Sequence, residues 1–179
     1  NRWLETGDII GAKRYGLIGF EGVVNVGPWQ VVAEYQHADV ERTALPNLDF
    51  YGWYVYASYF LTGEHTPWNR KTGCLGRVKP FENFFLVDRC CGGRGFGMGA
   101  WQVGVRYSYA DYTDQEVFGG IGESVTYGMN WWWTPYSRVQ FNYVHGRISQ
   151  RAALGGVPLV PGQTAGDYNI FGVRWMVDF

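Results

Sequence analysis

Apolar and polar side chains alternate along most of this chain. In the final segment every second residue is large and apolar, and glycine or polar residues fill the positions between. The apolar series is Phe171, Val173, Trp175, Val177 and Phe179. A period of two is the pattern of a β-strand, because successive side chains point to opposite faces. Alternation of this kind predicts seven strands, at residues 16–26, 29–41, 49–62, 99–112, 122–134, 138–149 and 166–179.

The predicted strands are about 10 to 14 residues long, which is enough to cross a hydrocarbon layer at the tilt of a barrel. Strands of a soluble β-sandwich usually have about five or six residues. The polar positions hold Gly, Ser, Asn and Gln with scattered charges, whereas the surface of a soluble sheet is rich in Lys and Glu. The fold class predicted is therefore all-β, an antiparallel transmembrane β-barrel.

Two segments fit the alternation less well. Residues 50–61 are aromatic on both faces. We assign Trp53, Val55, Ala57, Tyr59 and Leu61 to the apolar face. Trp132 places an indole among the polar positions of its strand.

Composition supports a sheet that meets lipid. Aromatic residues make up 18% of the chain, with 9 Trp and 13 Tyr, and Gly reaches 26. No stretch approaches the roughly 18 apolar residues that a membrane helix requires. The net charge of −1 and the lack of a basic stripe give no electrostatic reason to expect nucleic acid as a partner. Since the sequence begins at Asn1 without a leader, we expect a processed chain or part of a longer polypeptide.

Connection lengths predict which rim faces the periplasm. Gly27–Pro28 and residues 134–137 form tight turns, whereas the links at 41–48, 113–121 and 150–165 are longer. Bacterial barrels keep short turns on the periplasmic side and long loops outside. Pro28 and Pro135 then mark the periplasmic rim, and parity places the end of the last strand, at Phe179, on the same rim.

One predicted periplasmic connection, residues 63–98, is long. A connection of roughly 35 residues without periodicity is usually functional or disordered. This insert is too apolar for a free tail, because it contains Trp68, Phe81, Phe84, Phe85, Leu86 and Val87. Its cations outnumber its acids, and they are Arg70, Lys71, Arg77, Lys79, Arg89 and Arg94. We expect the insert to fold into the lumen as a plug or constriction.

Charged side chains on the predicted strands are candidates for the channel lining. Alternation directs Arg106 and Arg174 inward, which avoids the cost of about 2 to 4 kcal/mol for a basic residue facing lipid. Glu21 and Glu34 are the predicted lumen carboxylates. The arginines can select anions, or they can pair with these carboxylates and stiffen the wall.

The remaining chemistry is sparse. Cys74 has the spacing to form a disulfide with Cys90 or Cys91, and the three match no zinc pattern. The sequence contains no nucleophile elbow, no His-Glu metal helix and no phosphate loop. We therefore predict neither an enzyme nor a site for a metal or cofactor.

Several short runs are characteristic in combination. They are residues 59–64 (YFLTGE), 76–80 (GRVKP), 99–102 (GAWQ), 106–108 (RYS), 142–145 (NYVH) and 171–179 (FGVRWMVDF). With these runs, the chain resembles the C-terminal half of the phosphate-selective porin O/P family from the Gly27–Pro28 turn to Phe179.

The resemblance implies an outer-membrane barrel of about 16 strands, commonly a homotrimer, with inward-folded loops whose basic residues select anions. Residues 1–179 would then be the C-terminal part of a single barrel domain, because an odd count of seven strands does not close alone. The alternative is that residues 1–15 supply an eighth strand and the chain closes as a small barrel.

For function, the resemblance implies a water-filled porin of the bacterial outer membrane for passive diffusion of small anions such as phosphate. Arg77 and Lys79 match the family's Arg-Val-Lys-Pro pattern, and Phe179 resembles the signal read by the barrel assembly machinery. The expected partners are outer-membrane lipid, that machinery, further copies of the chain and small anionic solutes. The alternative is a structural barrel that anchors a surface layer or partner complex without transport.

Overall fold

Seven long strands form one antiparallel sheet in the computed structural model, which describes residues 4–88, 92–151 and 165–178. The sheet strands are β1 (Ala12–Val26), β2 (Trp29–Arg42), β3 (Leu48–Phe60), β8 (Ala100–Asp114), β9 (Val117–Thr134), β10 (Ser137–Arg151) and β11 (Gly166–Val177). They lie side by side in that order. The segment between β3 and β8 carries two small hairpins, β4 (Trp68–Asn69) with β5 (Cys74–Leu75) and β6 (Phe85–Asp88) with β7 (Arg94–Gly97).

The predicted all-β, antiparallel class is confirmed, and the seven sheet strands match the predicted ones with differences at their ends. Within the described residues, β1 and β11 are the two edges of an open sheet. Closure into a barrel and the number of strands in it stay predictions. Among the described residues, no helix has the length and apolarity to cross a membrane.

The register of the sheet gathers the apolar residues on one face. Residues directly opposite each other in antiparallel strands have their side chains on the same face. One row of such partners crosses six strands through Trp29, Tyr59, Val103, Met129, Phe141 and Val173. Trp53 and Val55 pair with Tyr109 and Tyr107, so their predicted assignment to the apolar face is confirmed.

The apolar face is open to its surroundings. On interior strands of the sheet, Tyr127 is 56% exposed and Val105 43% exposed, although both are large hydrophobic residues in the middle of a strand. A contiguous apolar surface of this extent marks contact with lipid or protein.

The opposite face carries more small and polar side chains, although Val32, Tyr56 and Val144 also lie on it. The adjoining row of register partners is Gln30, Ser58, Gly104, Gly128, Asn142 and Gly172. This face is concave, and a cavity of about 990 Å³ extends along it from Gln30 on β2 to Met176 on β11.

The two ends of the sheet differ. The C-terminal rim holds the turns at Gly27–Pro28 and Pro135–Tyr136 and the end of β11, and the N-terminal rim holds the start of β1 and the connections at 43–47 and 115–116. The long link predicted at 113–121 is wrong, because β9 begins at Val117 and only two residues separate it from β8. The rims therefore contrast less in turn length than predicted, and the assignment of the C-terminal rim to the periplasm stays a prediction.

Residues 4–11 cross the N-terminal rim without forming a strand. The amide of Glu5 donates to the carbonyl of Gly119 at 3.1 Å. Ile9 packs against a buried cluster that contains Val40, Leu48 and Phe50. The structure does not support the alternative that residues 1–15 add an eighth strand, because β1 begins at Ala12 and the described residues before it are not paired as a strand.

Trp132 has a specific environment on the concave face. Its side chain is 7% exposed and clusters with Phe60, Ala100 and Val78. Val78 belongs to the insert, so the indole that breaks the alternation is covered by the chain that follows β3.

Candidate functional site on the concave face

The first half of the insert is held together at the C-terminal rim by a buried carboxylate. The carboxylate of Glu64, 2% exposed, accepts hydrogen bonds from the hydroxyl of Thr62 and from the amide of Phe81, the latter at 3.1 Å. Residues 75–78 line the concave cavity. The chain that follows β3 thus covers the end of the polar face at the C-terminal rim.

The second half of the insert lies against the other face. The centre of the Phe84 ring lies 4.6 Å from the ring centre of Trp131 and 5.5 Å from that of Trp133. Both tryptophans belong to the apolar face. The insert therefore contacts the sheet on both of its faces. The location of its first half, on the concave side, in the lumen of a closed barrel stays a prediction.

Arg77 lines the cavity, and a neighbouring carboxylate neutralises its charge. Its guanidinium forms an ion pair with Asp178, at the end of β11, and its Cζ lies 4.4 Å from the centre of the Tyr136 ring. These contacts tie the insert to two elements of the C-terminal rim. A paired guanidinium attracts a passing anion less than an unpaired one, because the carboxylate cancels most of its field.

Arg106 lies on the concave face as predicted and lines the cavity. Its Cζ is 3.8 Å from the centre of the Tyr54 ring, and its Nε donates to Oγ of Ser108 at 2.9 Å. Arg174 is exposed and opposes Gln140 in register, which places it on the same face.

The sequence reasoning did not identify Arg138 as a site residue. Arg138 lines the same cavity, its Cζ lies 5.3 Å from the Trp132 ring centre, and its Nε is 3.2 Å from Sδ of Met176. The alternation of the strand could have identified it, because Arg138 lies one residue before Val139 and three before Phe141, which are both on the apolar face.

Three predicted cations lie elsewhere. Lys79 is exposed in the insert, and Arg70 and Lys71 are exposed in the turn between β4 and β5. Among the described residues that line the cavity, none is one of these three. The structure thus brings Arg77 and Arg106 to one cavity and leaves Lys79, Arg70 and Lys71 outside it.

The predicted carboxylates Glu21 and Glu34 oppose each other directly in register. They share the concave face with Tyr54, which lies directly opposite Glu34 in register. In the part of the chain that the structure describes, neither carboxylate forms an ion pair with Arg106 or Arg174, so the predicted stiffening pairs are not observed.

Two predictions depend on residues that the structure does not describe. Cys74 is exposed, and its thiol donates to the carbonyl of Thr72 at 3.3 Å. Cys90, Cys91 and Phe179 lie outside the described residues, so the disulfide and the terminal assembly signal stay predictions. Within 4–88, 92–151 and 165–178, no group of three His, Cys, Asp or Glu side chains is arranged to hold a metal ion.

Comparison with known proteins identifies the family. A Caulobacter vibrioides (strain ATCC 19089 / CIP 103742 / CB 15) protein described as uncharacterized is 29% identical to this chain over 161 residues, which cover 90% of this chain and 29% of that protein. The chain thus spans less than a third of that relative's length. The family described as phosphate-selective porin O and P has a model that matches residues 1–179, and the chain therefore belongs to this family, whose members are outer-membrane proteins.

Proposed function

We propose that this chain forms part of the wall of an outer-membrane porin, a water-filled channel through which small anions such as phosphate diffuse. The observation that carries the proposal is the division of one sheet into an exposed apolar face and a concave polar face that holds the guanidiniums. Such a sheet suits a position between lipid and water, since strands of membrane barrels alternate apolar-out and polar-in.

The proposed anion preference comes from Arg106, Arg138 and Arg174 on the concave face. Within the described residues these three form no ion pair, whereas Arg77 is paired with Asp178. The aromatic rings of Tyr54 and Trp132 hold two of the guanidiniums by cation–π contact, which leaves their positive charge directed at the cavity. Binding groups of this kind attract anions and still release them, as conduction requires.

The family supports the accompanying proposals about assembly. The apolar face, which is the convex face of the sheet, contacts outer-membrane lipid. The full polypeptide closes the barrel with strands that this chain does not contain, and three copies assemble. The barrel assembly machinery inserts the protein and reads its last strand. Small anionic solutes are the proposed cargo, and no cofactor is required for passive diffusion.

Planar-bilayer recording of the full-length protein tests the proposal. We expect ohmic single-channel current and a reversal potential that indicates anion preference. Conductance without anion preference would limit the proposal to a general porin. A folded barrel that conducts no ions would contradict the proposal and support the structural alternative, an anchor for a surface layer or partner complex.

A further inference from the structure

The β6–β7 hairpin and the residues that flank it, 84–88 and 94–98, lie on the convex side of the sheet. We propose that this hairpin is a membrane-interface anchor whose apolar base lies in the lipid at the C-terminal rim. The inference rests on the proposed function, because it requires that the convex face of the sheet contact lipid. It concerns a part of the insert that does not line the channel.

Aromatic contacts join the hairpin to the sheet. The ring of Phe84 packs edge-on against Trp131 at 4.6 Å, and Phe84 also contacts Phe96 of β7 at 5.8 Å. The amide of Phe84 donates to the carbonyl of Trp133 at 2.7 Å. The hairpin is thus held by backbone and ring contacts at the end of β9.

The carbonyl of Met98 forms a second attachment. It accepts hydrogen bonds from the indole nitrogens of Trp131 at 2.8 Å and of Trp101 at 3.2 Å. The two indoles stack with their centres 4.7 Å apart. Tryptophans at a membrane interface usually direct this N–H to water or headgroups. Here the carbonyl of Met98, in the insert, is the acceptor. The insert therefore covers the two indoles and lies farther from the sheet than they do.

The outer surface of the hairpin is apolar at its base. Four large side chains at the base of the hairpin are more than half exposed: Phe85 at 56%, Leu86 at 55%, Phe96 at 61% and Met98 at 64%. The tip carries the ion pair of Asp88 with Arg94, with 3.7 Å between Oδ1 and Nε. Apolar residues at the base and charges toward the tip form the polarity gradient of an interfacial element.

Lipid fits this surface better than a second protein chain. The exposed side chains of the hairpin are continuous with the exposed apolar face of the sheet through Trp131, Trp133 and Trp175, whose rings contact one another in sequence. An aromatic band at the rim of a membrane barrel marks the interface with the headgroups. A hairpin attached to that band lies at the depth where acyl chains meet headgroups.

Spin labels on the full-length protein test the anchor. We would replace the native cysteines by serine, introduce Phe96→Cys or Leu86→Cys, label each with a nitroxide and reconstitute the protein in phosphatidylcholine–phosphatidylglycerol vesicles. Collision with oxygen reports lipid, and collision with a water-soluble nickel chelate reports solvent. Val173→Cys on the convex face is the lipid reference, and Lys79→Cys in the first half of the insert is the water reference.

The anchor predicts that labels at 86 and 96 favour oxygen over nickel severalfold more than the label at 79 does, and resemble the label at 173. Nickel accessibility equal to that at 79 would overturn the anchor, since the hairpin would then lie in water. Exclusion of both reagents with spin–spin broadening between copies would also overturn it and would assign the surface to a second chain. If the label at 173 is itself in water, the proposed function fails, and the anchor fails with it.

Discussion

Arg138 and Arg147 allow a matched test of anion selection, because they lie on the same strand and on opposite faces. Arg138 lines the concave cavity. Arg147 opposes Glu123 and Asp167 in register and is on the convex face, where its Nε is 4.0 Å from the Asp167 carboxylate. Arg138→Gln removes a charge from the channel, and Arg147→Gln removes the same charge from the outer surface.

The expected size of the effect follows from Coulomb's law. A unit charge about 5 Å from a passing monovalent anion in water contributes about 0.8 kcal/mol before screening. With a Debye length of about 10 Å at 0.1 M salt, about 0.5 kcal/mol remains, which corresponds to about a twofold change in the anion concentration at that point of the channel. Removing Arg106 as well should give about a fivefold change. At about 1 M salt the Debye length is about 3 Å, and the effect nearly disappears.

The assay is the reversal potential of single channels in a KCl gradient centred on about 0.1 M and again on about 1 M. Arg138→Gln should lower the ratio of chloride to potassium permeability, most strongly in the dilute series, and Arg147→Gln should leave that ratio unchanged. Equal effects from the two substitutions, or no effect from Arg138→Gln at low salt, would refute the assignment of the concave face to the channel.

Three further outcomes concern stability, read from unfolding by urea. Gly99→Ala should lower the free energy of unfolding by roughly 1 to 3 kcal/mol, because Gly99 has a φ of +69° and an added Cβ would lie 2.2 Å from the carbonyl oxygen of Trp132. Gly172→Ala is the control, since its added Cβ meets no atom within 4 Å and should leave the stability nearly unchanged. Trp132→Ala should cost about 3 to 5 kcal/mol, because its ring is buried beneath the insert. The hydrogen bond from Arg42 holds the pKa of Glu116 below its ordinary value, so the pair stabilises the fold above the unfolded-state pKa of Glu116 and loses this contribution as the pH falls through the lowered folded-state pKa. Glu116→Gln should therefore make the unfolding midpoint less sensitive to acid, and an unchanged pH profile would contradict the role of the pair.

The period of two explains why much of the fold could be predicted from the sequence. A one-residue shift would move a whole strand's apolar set to the wrong face, so alternation specifies the faces strongly. The aromatic stretch of β3 shows this, since Trp53 and Val55 lie where alternation placed them. Arg106 and Arg174 were assigned to the concave face on the same basis.

Features that depend on distant contacts could not be predicted. The glycines at 119 and 120 look like a turn, yet residues 117–119 pair with their neighbours and extend β9. Gly120 has a φ of +98°, which glycine tolerates within the strand. The attachment of the insert to both faces depends on Phe84 meeting Trp131 and on Val78 covering Trp132, and no local spacing encodes either contact.

Chemical modification of single cysteines during recording tests the central claim most directly. Asn142 lies on the concave face, and its neighbour Phe141 lies on the convex face. In full-length protein with its native cysteines replaced by serine, a negatively charged, membrane-impermeant thiol reagent should lower the conductance of Asn142→Cys channels in steps and leave Phe141→Cys channels unchanged. Steps at Phe141→Cys, or none at Asn142→Cys despite confirmed labelling, would contradict the account that this sheet lines an anion channel with its concave face.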